Sequence, residues 1–229
     1  MIAIIPARGG SKRIPHKNIK SFVGRPILSY SIKAALESNL FDVVMVSTDS
    51  EEIADIAVQE GADVPFLRSR RNSDDFATTS DVLEEVVMEY EKMGVEFDCF
   101  CCIYPTAPFV TADKLKKAYN ILCKEDAEGV FSIVKYSYPP QRCIVVRDGL
   151  ASFQNIEYRY TRSQDLESIY HDAGQFYFLR KSAFLQQHDL VLKKTVPFIV
   201  DELEVQDIDN GSNWKIAEMK YKLMVENDG

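Results

Sequence analysis

The residues able to do chemistry cluster near the start of the chain. Arg8, Lys12, Arg13, His16 and Lys17 crowd one segment around Gly9, Gly10 and Ser11. Cations packed this densely repel one another unless an anion lies among them, and a polyphosphate offers the charge to match. Arginine brings a planar fork for phosphate oxygens and lysine a point charge, so Arg8, Lys12 and Lys17 are the phosphate candidates. The glycines would let the backbone approach a ligand, take φ > 0 and turn successive N–H groups toward one oxygen cluster. The spacing fits neither GxxxxGK[ST] nor GxGxxG. The alternative is a solvated basic loop closing the end of a sheet. His16, beside Pro15 in a cationic segment, reads as a surface residue and not as a general base.

A second constellation lies near the other end. In the VQDID stretch Asp207 and Asp209 are two apart, so an extended backbone puts both on one side and turns Ile208 to the core. Two carboxylates held together repel unless a cation joins them. Mg²⁺ is commonly held by one or two carboxylates plus substrate phosphates and waters. A helix-capping aspartate ahead of residues 213–224 is the competing explanation, and it accounts for only one of the pair. Arg68 and the segment Asp74–Thr79 are weaker signals, since Arg68 could equally pair with a surface acid.

These residues need elements to position them. Ile2–Ile5 is an uninterrupted apolar run, as expected of a strand buried on both faces of a parallel sheet. Helical periodicity marks Ile27–Ser38 and Glu51–Gln59, the latter with Asp49 and Glu52 in a capping-box pattern and Gly61 as its stop. Val43–Ser47, Val64–Leu67 and Phe97–Tyr104 read as further strands. Val82, Leu83, Val86, Val87 and Tyr90 share one face of an amphipathic helix, and Asp113–Leu122 is again helical. Strand alternating with helix predicts an α/β fold with a doubly wound, mostly parallel sheet. Ligands bind beyond the carboxyl ends of such strands, so the loops after Ile5, Ser47, Leu67 and Tyr104 should share one rim. Residues 136–172 break the pattern and read as an insertion leaving the sheet. Inside it Asp148-Gly149 joins two short strands as a type I′ hairpin. Gly174–Leu179 returns as a strand, and Ser212 is the expected cap of the last helix.

With 229 residues the chain suits one α/β domain, 1–229, carrying that insertion. Its net charge of −8 argues against a nucleic-acid partner despite the basic segment. No apolar run is long enough to cross a membrane, and Ile2–Ile5 is too short for a signal-peptide core. Cys99, Cys101 and Cys102 lack zinc-site spacing and read as reduced core residues of a cytoplasmic protein.

The segment ARGGSKRIPHKN resembles the N-terminal signature of the CMP-sugar-acid synthetases, which join CTP to sialic acid and related nonulosonic acids. STDSEEIA, FLR, DDFATT, YPTAPF, RSQDL, DAGQFYF and VQDID follow in the family's order and at similar spacing. RSQDL and YHDAGQFYF resemble the pseudaminic acid branch more than the N-acetylneuraminic acid branch. The resemblance implies a fold of the nucleotide-diphospho-sugar transferase type. It implies transfer of CMP from CTP to an anomeric hydroxyl with release of pyrophosphate, and a homodimer in which the insertion reaches across to the partner. It also implies that Ala7, Arg8, Gly9, Ser11 and Asn18 meet the nucleotide, with Arg68, Ala77 and Thr79 near cytosine and ribose. Lys17 would help neutralise the triphosphate, and Asp207 and Asp209 would hold Mg²⁺. A carboxylate of that pair, or a hydroxide on the metal, would take the proton of the attacking hydroxyl. Tyr104, Arg142, Arg162, Gln164, Asp172, Gln175 and Tyr177 would form the acceptor side, Arg162 matching the family's carboxylate-binding arginine. Tyr104 stands where the sialic branch has glutamine, and Asp172-Ala173-Gly174 replaces its Asn-Gly neighbourhood.

Overall fold

The computed structural model describes residues 1–227. In chain order the elements are β1 (Ile2–Pro6), β2 (Ser21–Phe22), β3 (Arg25–Pro26), α1 (Ile27–Ser38), β4 (Val43–Ser47), α2 (Glu51–Gln59), α3 (Thr79–Lys92) and β5 (Cys99–Ile103). There follow α4 (Ala112–Lys124), β6 (Gly129–Lys135), β7 (Ile144–Arg147), β8 (Leu150–Phe153), β9 (Tyr170–Arg180), α5 (Lys181–Gln187), β10 (Thr195–Ile199) and α6 (Gly211–Asn227). Six strands form the central sheet in the order β10-β6-β9-β5-β1-β4. β9 runs antiparallel to both its neighbours, and the other pairings are parallel.

The alternation of β1 explains the layering. Ala3 and Ile5 face a core built with α1, α2 and α4, while Ile2 and Ile4 face one built with α3 and α5. Burial on both faces demands apolar residues at every position, so the run shows no period of two. A smaller cluster of Ile14, Phe22, Phe109, Ile208 and Trp214 fastens α6 beneath the cationic segment. Ile208 is 2% exposed, and burying it is worth about 2 kcal/mol toward holding its two flanking aspartates in place.

Four local expectations are corrected. Val64–Leu67 is not a strand. Only Asp63 bridges β4, at Met45, and Pro65 lacks the N–H a ladder would need. The cap of α2 is Ser50, whose hydroxyl accepts from the Ile53 N–H, and not Asp49. The last helix is preceded by Asn210, whose Oδ1 accepts from Ser212 and Asn213 N–H at 2.9 Å, so Ser212 is inside the helix. The excursion from the sheet ends at Tyr170, because Tyr170, His171 and Asp172 already pair with β6. Within it Asp148 and Gly149 both take positive φ, 51° and 77°, as a type I′ turn requires.

β9 also carries a large bulge. Its pairing with β6 jumps from Tyr177 opposite Phe131 to Asp172 opposite Ile133. Gly174 takes φ +62° within the extra loop of backbone. Bulges of this kind re-aim side chains at a sheet's rim.

Candidate active site

The carboxyl ends of β1, β4 and β5 open on a cavity of about 620 Å³. Arg8, Ser11, Lys12, Lys17, Asn18, Arg68, Ala77, Thr79, Tyr104 and Asp209 all line it, drawn from distant parts of the chain. The loops after β1, β4 and β5, together with the stretch leading to Arg68, do share one rim.

The cationic segment is built differently from a backbone anion nest. Ala7 is buried and its N–H donates to Ser47 O at 2.9 Å. The Gly9 N–H donates to Asp49 Oδ1 at 2.8 Å, and the Ser11 N–H to Gly9 O at 3.0 Å. Of the expected nucleotide contacts in this segment, Arg8, Ser11 and Asn18 line the cavity, while Ala7 and Gly9 do not and have their N–H groups engaged within the chain. Gly9 does not sit at positive φ. A Cβ there would stand 3.1 Å from Ser50 Cβ, so the glycine lets the segment press against the start of α2. The positive charge at this rim comes from side chains.

Those side chains are held by acids and carbonyls. Arg8 Nη1 donates to Asp74 O at 3.1 Å and to Asp75 Oδ1 at 3.2 Å, while Lys12 Nζ bonds the other oxygen of Asp75. The lysine and arginine together hold the Asp75 carboxyl below its ordinary range. Arg13 Nη1 meets Asp209 Oδ2 at 2.5 Å. Asn18 is buried, and its Nδ2 donates to Arg8 O at 2.9 Å, fixing the arginine's main chain. Arg68 is buried too, with Nε donating to Ser47 Oγ at 3.0 Å and Nη2 to Ser47 O at 2.5 Å. It pairs with the end of β4 and not with a surface acid. Burial pushes the Lys17 ammonium below its usual value, while the charges of Asp209 and Asp207 pull it up. His16 is exposed, with Nδ1 3.6 Å from Glu52 Oε2.

Asp209 lies on the cavity wall; Asp207 is exposed and off it. Among the described residues no three His, Cys, Asp or Glu side chains are grouped to hold a metal. This donor set does not fit an all-protein cage. It fits a cation that takes one or two carboxylates and completes its shell with phosphate oxygens and water.

The α3 end of the cavity is shaped by a capping box. Thr78 Oγ1 accepts from the Asp81 N–H, and the Asp81 carboxylate accepts from the Thr78 N–H at 2.8 Å. Such caps are worth about 1 kcal/mol and set how Ala77 and Thr79 enter the helix. Thr79 Oγ1 lies 3.5 Å from the Tyr104 hydroxyl.

The expected acceptor residues divide. Tyr104 lines the cavity. Tyr177 is 1% exposed and Gln175 2%, so both are sealed under the sheet's end. The Asp172 carboxylate is committed to its own chain, accepting from Gly174 N–H at 2.7 Å and from Tyr177 Oη at 2.5 Å. Arg142, Arg162 and Gln164 stand on the projecting insertion, where Arg142 Nη1 lies 3.4 Å from Ser163 Oγ. Tyr104 apart, none of the expected acceptor residues is on the cavity wall. Sequence reasoning missed the partners: Asp75 for Arg8 and Lys12, Asp49 for Gly9, and Arg13 for Asp209. The signal for Asp75 was present, since it belongs to the DDFATT segment and is an acid facing a surplus of cations.

A cytidylyltransferase family model matches residues 2–213. The chain is 39% identical to a pseudaminic acid cytidylyltransferase of Campylobacter jejuni, over 97% of this chain and 96% of the relative. It is 34% identical to a CMP-N,N'-diacetyllegionaminic acid synthase of Legionella pneumophila, over 99% and 98% of the two chains. A solved CMP:2-keto-3-deoxy-manno-octonic acid synthetase, in complex with CTP, superposes with a TM-score of 0.68 at 18% identity, covering 99% of this chain and 98% of that one. The mixed sheet between two helical layers is thus the nucleotide-diphospho-sugar transferase fold, and the chain belongs to the cytidylyltransferase family.

Proposed function

We propose that this chain transfers CMP from CTP to the anomeric hydroxyl of a nonulosonic acid, pseudaminic acid being the acceptor it serves best, with release of pyrophosphate. The observation that carries this is one cavity in which Arg8, Lys12 and Lys17 face Asp209. The names of the relatives, which act on pseudaminic and legionaminic acids, supply the acceptor class.

Arg8, Lys12 and Lys17 take the triphosphate oxygens, Asp75 giving way to them. Attack at an α-phosphorus is slow chiefly because its oxyanions repel the nucleophile, and fixed cations lower that barrier. Asn18, Arg68, Ala77 and Thr79 receive the base and ribose, a small pocket suited to a pyrimidine. The anomeric oxygen gives up its proton to a carboxylate of the Asp207–Asp209 pair and bonds to the α-phosphorus as the bond to the bridging oxygen breaks, and pyrophosphate leaves among the same cations. Asp207 and Asp209 would hold Mg²⁺, which when bound supplies further positive charge to the transferring phosphoryl group. Arg162, with Arg142 and Gln164, serves the acceptor carboxylate. These three sit on the insertion, whose hairpin exposes Ile144, Val146 and Leu150, as befits an arm that packs on a second copy in a homodimer.

Pyrophosphate release from CTP over a panel of nonulosonic acids tests this. Pseudaminic acid should exceed N-acetylneuraminic acid in catalytic efficiency by about two powers of ten, because a site that hydrogen-bonds a second acylated amine rejects an acceptor offering a hydroxyl there. Equal efficiency would remove the pseudaminic assignment. No release with any acid would remove the transferase itself.

A further inference from the structure

Gln175 is polar, buried and only half satisfied. Its Nε2 donates to Glu204 O at 2.6 Å, while Oε1, equally buried, has no partner among the described residues. An orphaned buried acceptor costs about 1–3 kcal/mol, so packing alone would be better served by an apolar side chain. Gln175 lies in the β9 bulge, and its main-chain O accepts from the Tyr104 N–H at 2.8 Å. It therefore touches three things at once: the bulge, the end of β5 that carries Tyr104, and the turn at 202–204.

That turn is gripped from other sides as well. Lys114 Nζ reaches Glu204 Oε2 and Phe109 O, both at 2.9 Å. Lys220 Nζ donates to Glu202 O at 2.9 Å and to Val205 O at 2.7 Å. The chain then runs directly from Val205, buried against Val134, Ala173 and Val200, to Asp207 and Asp209. The first of those carboxylates follows closely on the gripped carbonyl of Glu204, with only Val205 and Gln206 between.

We propose that Gln175 is a positioning residue for the carboxylate pair and does not contact the acceptor. Through its amide it ties the acidic strand to the β9 bulge and Tyr104, so the seat of the carboxylates and the cavity's far wall are set together. The inference rests on the metal assignment proposed above. Groups that hydrogen-bond directly to a metal's ligands change metal affinity or activity by about 10–100-fold when removed, and Gln175, acting one step further back through the Glu204 carbonyl, is expected at the low end of that range.

Gln175→Met tests it, since methionine keeps the length of the side chain and removes both polar atoms. Manganese is the probe, its binding to the protein in the presence of CTP followed by electron paramagnetic resonance, with steady-state kinetics alongside. Expected are Mn²⁺ binding weakened about tenfold, a comparable fall in kcat, and an acceptor KM within about twofold of wild type. A raised acceptor KM with unchanged Mn²⁺ binding would make Gln175 a sugar contact and overturn the proposal. Unchanged Mn²⁺ binding and kcat would make it packing alone and overturn the proposal equally. If Gln175→Met does not fold, Lys220→Met loosens the same turn from α6 and should weaken Mn²⁺ in the same direction; no change there overturns the proposal. Asp209→Asn is the control: wild-type Mn²⁺ binding in that variant shows that the metal assignment itself has failed, and the proposal falls with it.

Discussion

The rim beyond β1, β4 and β5 and the rim beyond β6 and β9 belong to one sheet yet are finished in different ways. At the first, Arg8, Lys12, Lys17, Arg68 and Asp209 converge on one cavity, where Ser47, Asn18 and Asp75 brace the arginines and Lys12. At the second, Asp172, Gln175 and Tyr177 turn inward and bond to their own chain, while Arg142, Arg162 and Gln164 stand out on an arm. The proposed phosphate seat is assembled within one chain because short loops at adjacent strand ends reach the same point. The proposed acceptor seat, made from an arm, depends on where that arm lies. The two rims should therefore respond differently to substitution.

The sharpest break falls on the first rim. Asp209→Asn keeps size and removes the charge on the cavity wall. Turnover should drop by at least about a hundredfold, roughly 2.7 kcal/mol of transition-state stabilisation. Thermal stability should stay near wild type, because what is lost is an exposed pairing with Arg13 and part of the charge that offsets Lys17, of which Asp207 supplies the rest. Stopped-time assays of pyrophosphate release together with a melting curve check both, and near-normal turnover would dissolve the contrast.

On the second rim the damage should be selective. Arg162→Ala is expected to raise the acceptor KM by about tenfold, the cost of one charge-assisted contact, while the KM for CTP holds. Saturation curves in each substrate decide it. A matching rise for CTP would mean that the rims are not separate.

A third, smaller effect concerns pH. Burial lowers the Lys17 pKa in the folded protein, with Asp209 and Asp207 opposing. A depressed lysine binds its proton less tightly folded than unfolded, so its cost to stability is relieved as pH rises toward the ordinary lysine value near 10.4. Its charge is meanwhile lost at a lower pH than an exposed lysine's. The alkaline limb of kcat/KM for CTP should thus begin below that value. Lys17→Arg should move the limb upward, because a guanidinium keeps its charge throughout this range, even if the maximum rate falls. An unmoved limb would assign it to another group.

How much of this was legible in the residues depends on range. Local patterns spoke clearly: the ends of α1 and α2, the apolar face of α3 and the Asp148-Gly149 turn follow from nearest neighbours. Convergence at a common rim was legible too, because parallel strands deliver their loops to one end. Cap choice was not, since Asp49 and Ser50 are both able to cap and the tie is broken by Gly9, forty residues away. Nor was the sealing of Gln175 and Tyr177, which follows from β9 lying antiparallel between β5 and β6 with a bulge. A motif names residues that belong together without saying which of them touch the ligand and which touch one another.

The pairing of Asp75 with both Arg8 and Lys12 has a consequence for the molecule's surroundings. A cation cluster on a chain of net charge −8 would broadcast a local attractive field to any polyanion within a Debye length, about 8 Å at physiological ionic strength. With a carboxylate seated between two of its members, much of that field closes on itself at short range. A long, stiff polyanion then meets a chain whose net charge is of its own sign. A compact triphosphate that enters the cavity can exchange oxygen for oxygen with Asp75, so admission is governed by reach and not by attraction at a distance.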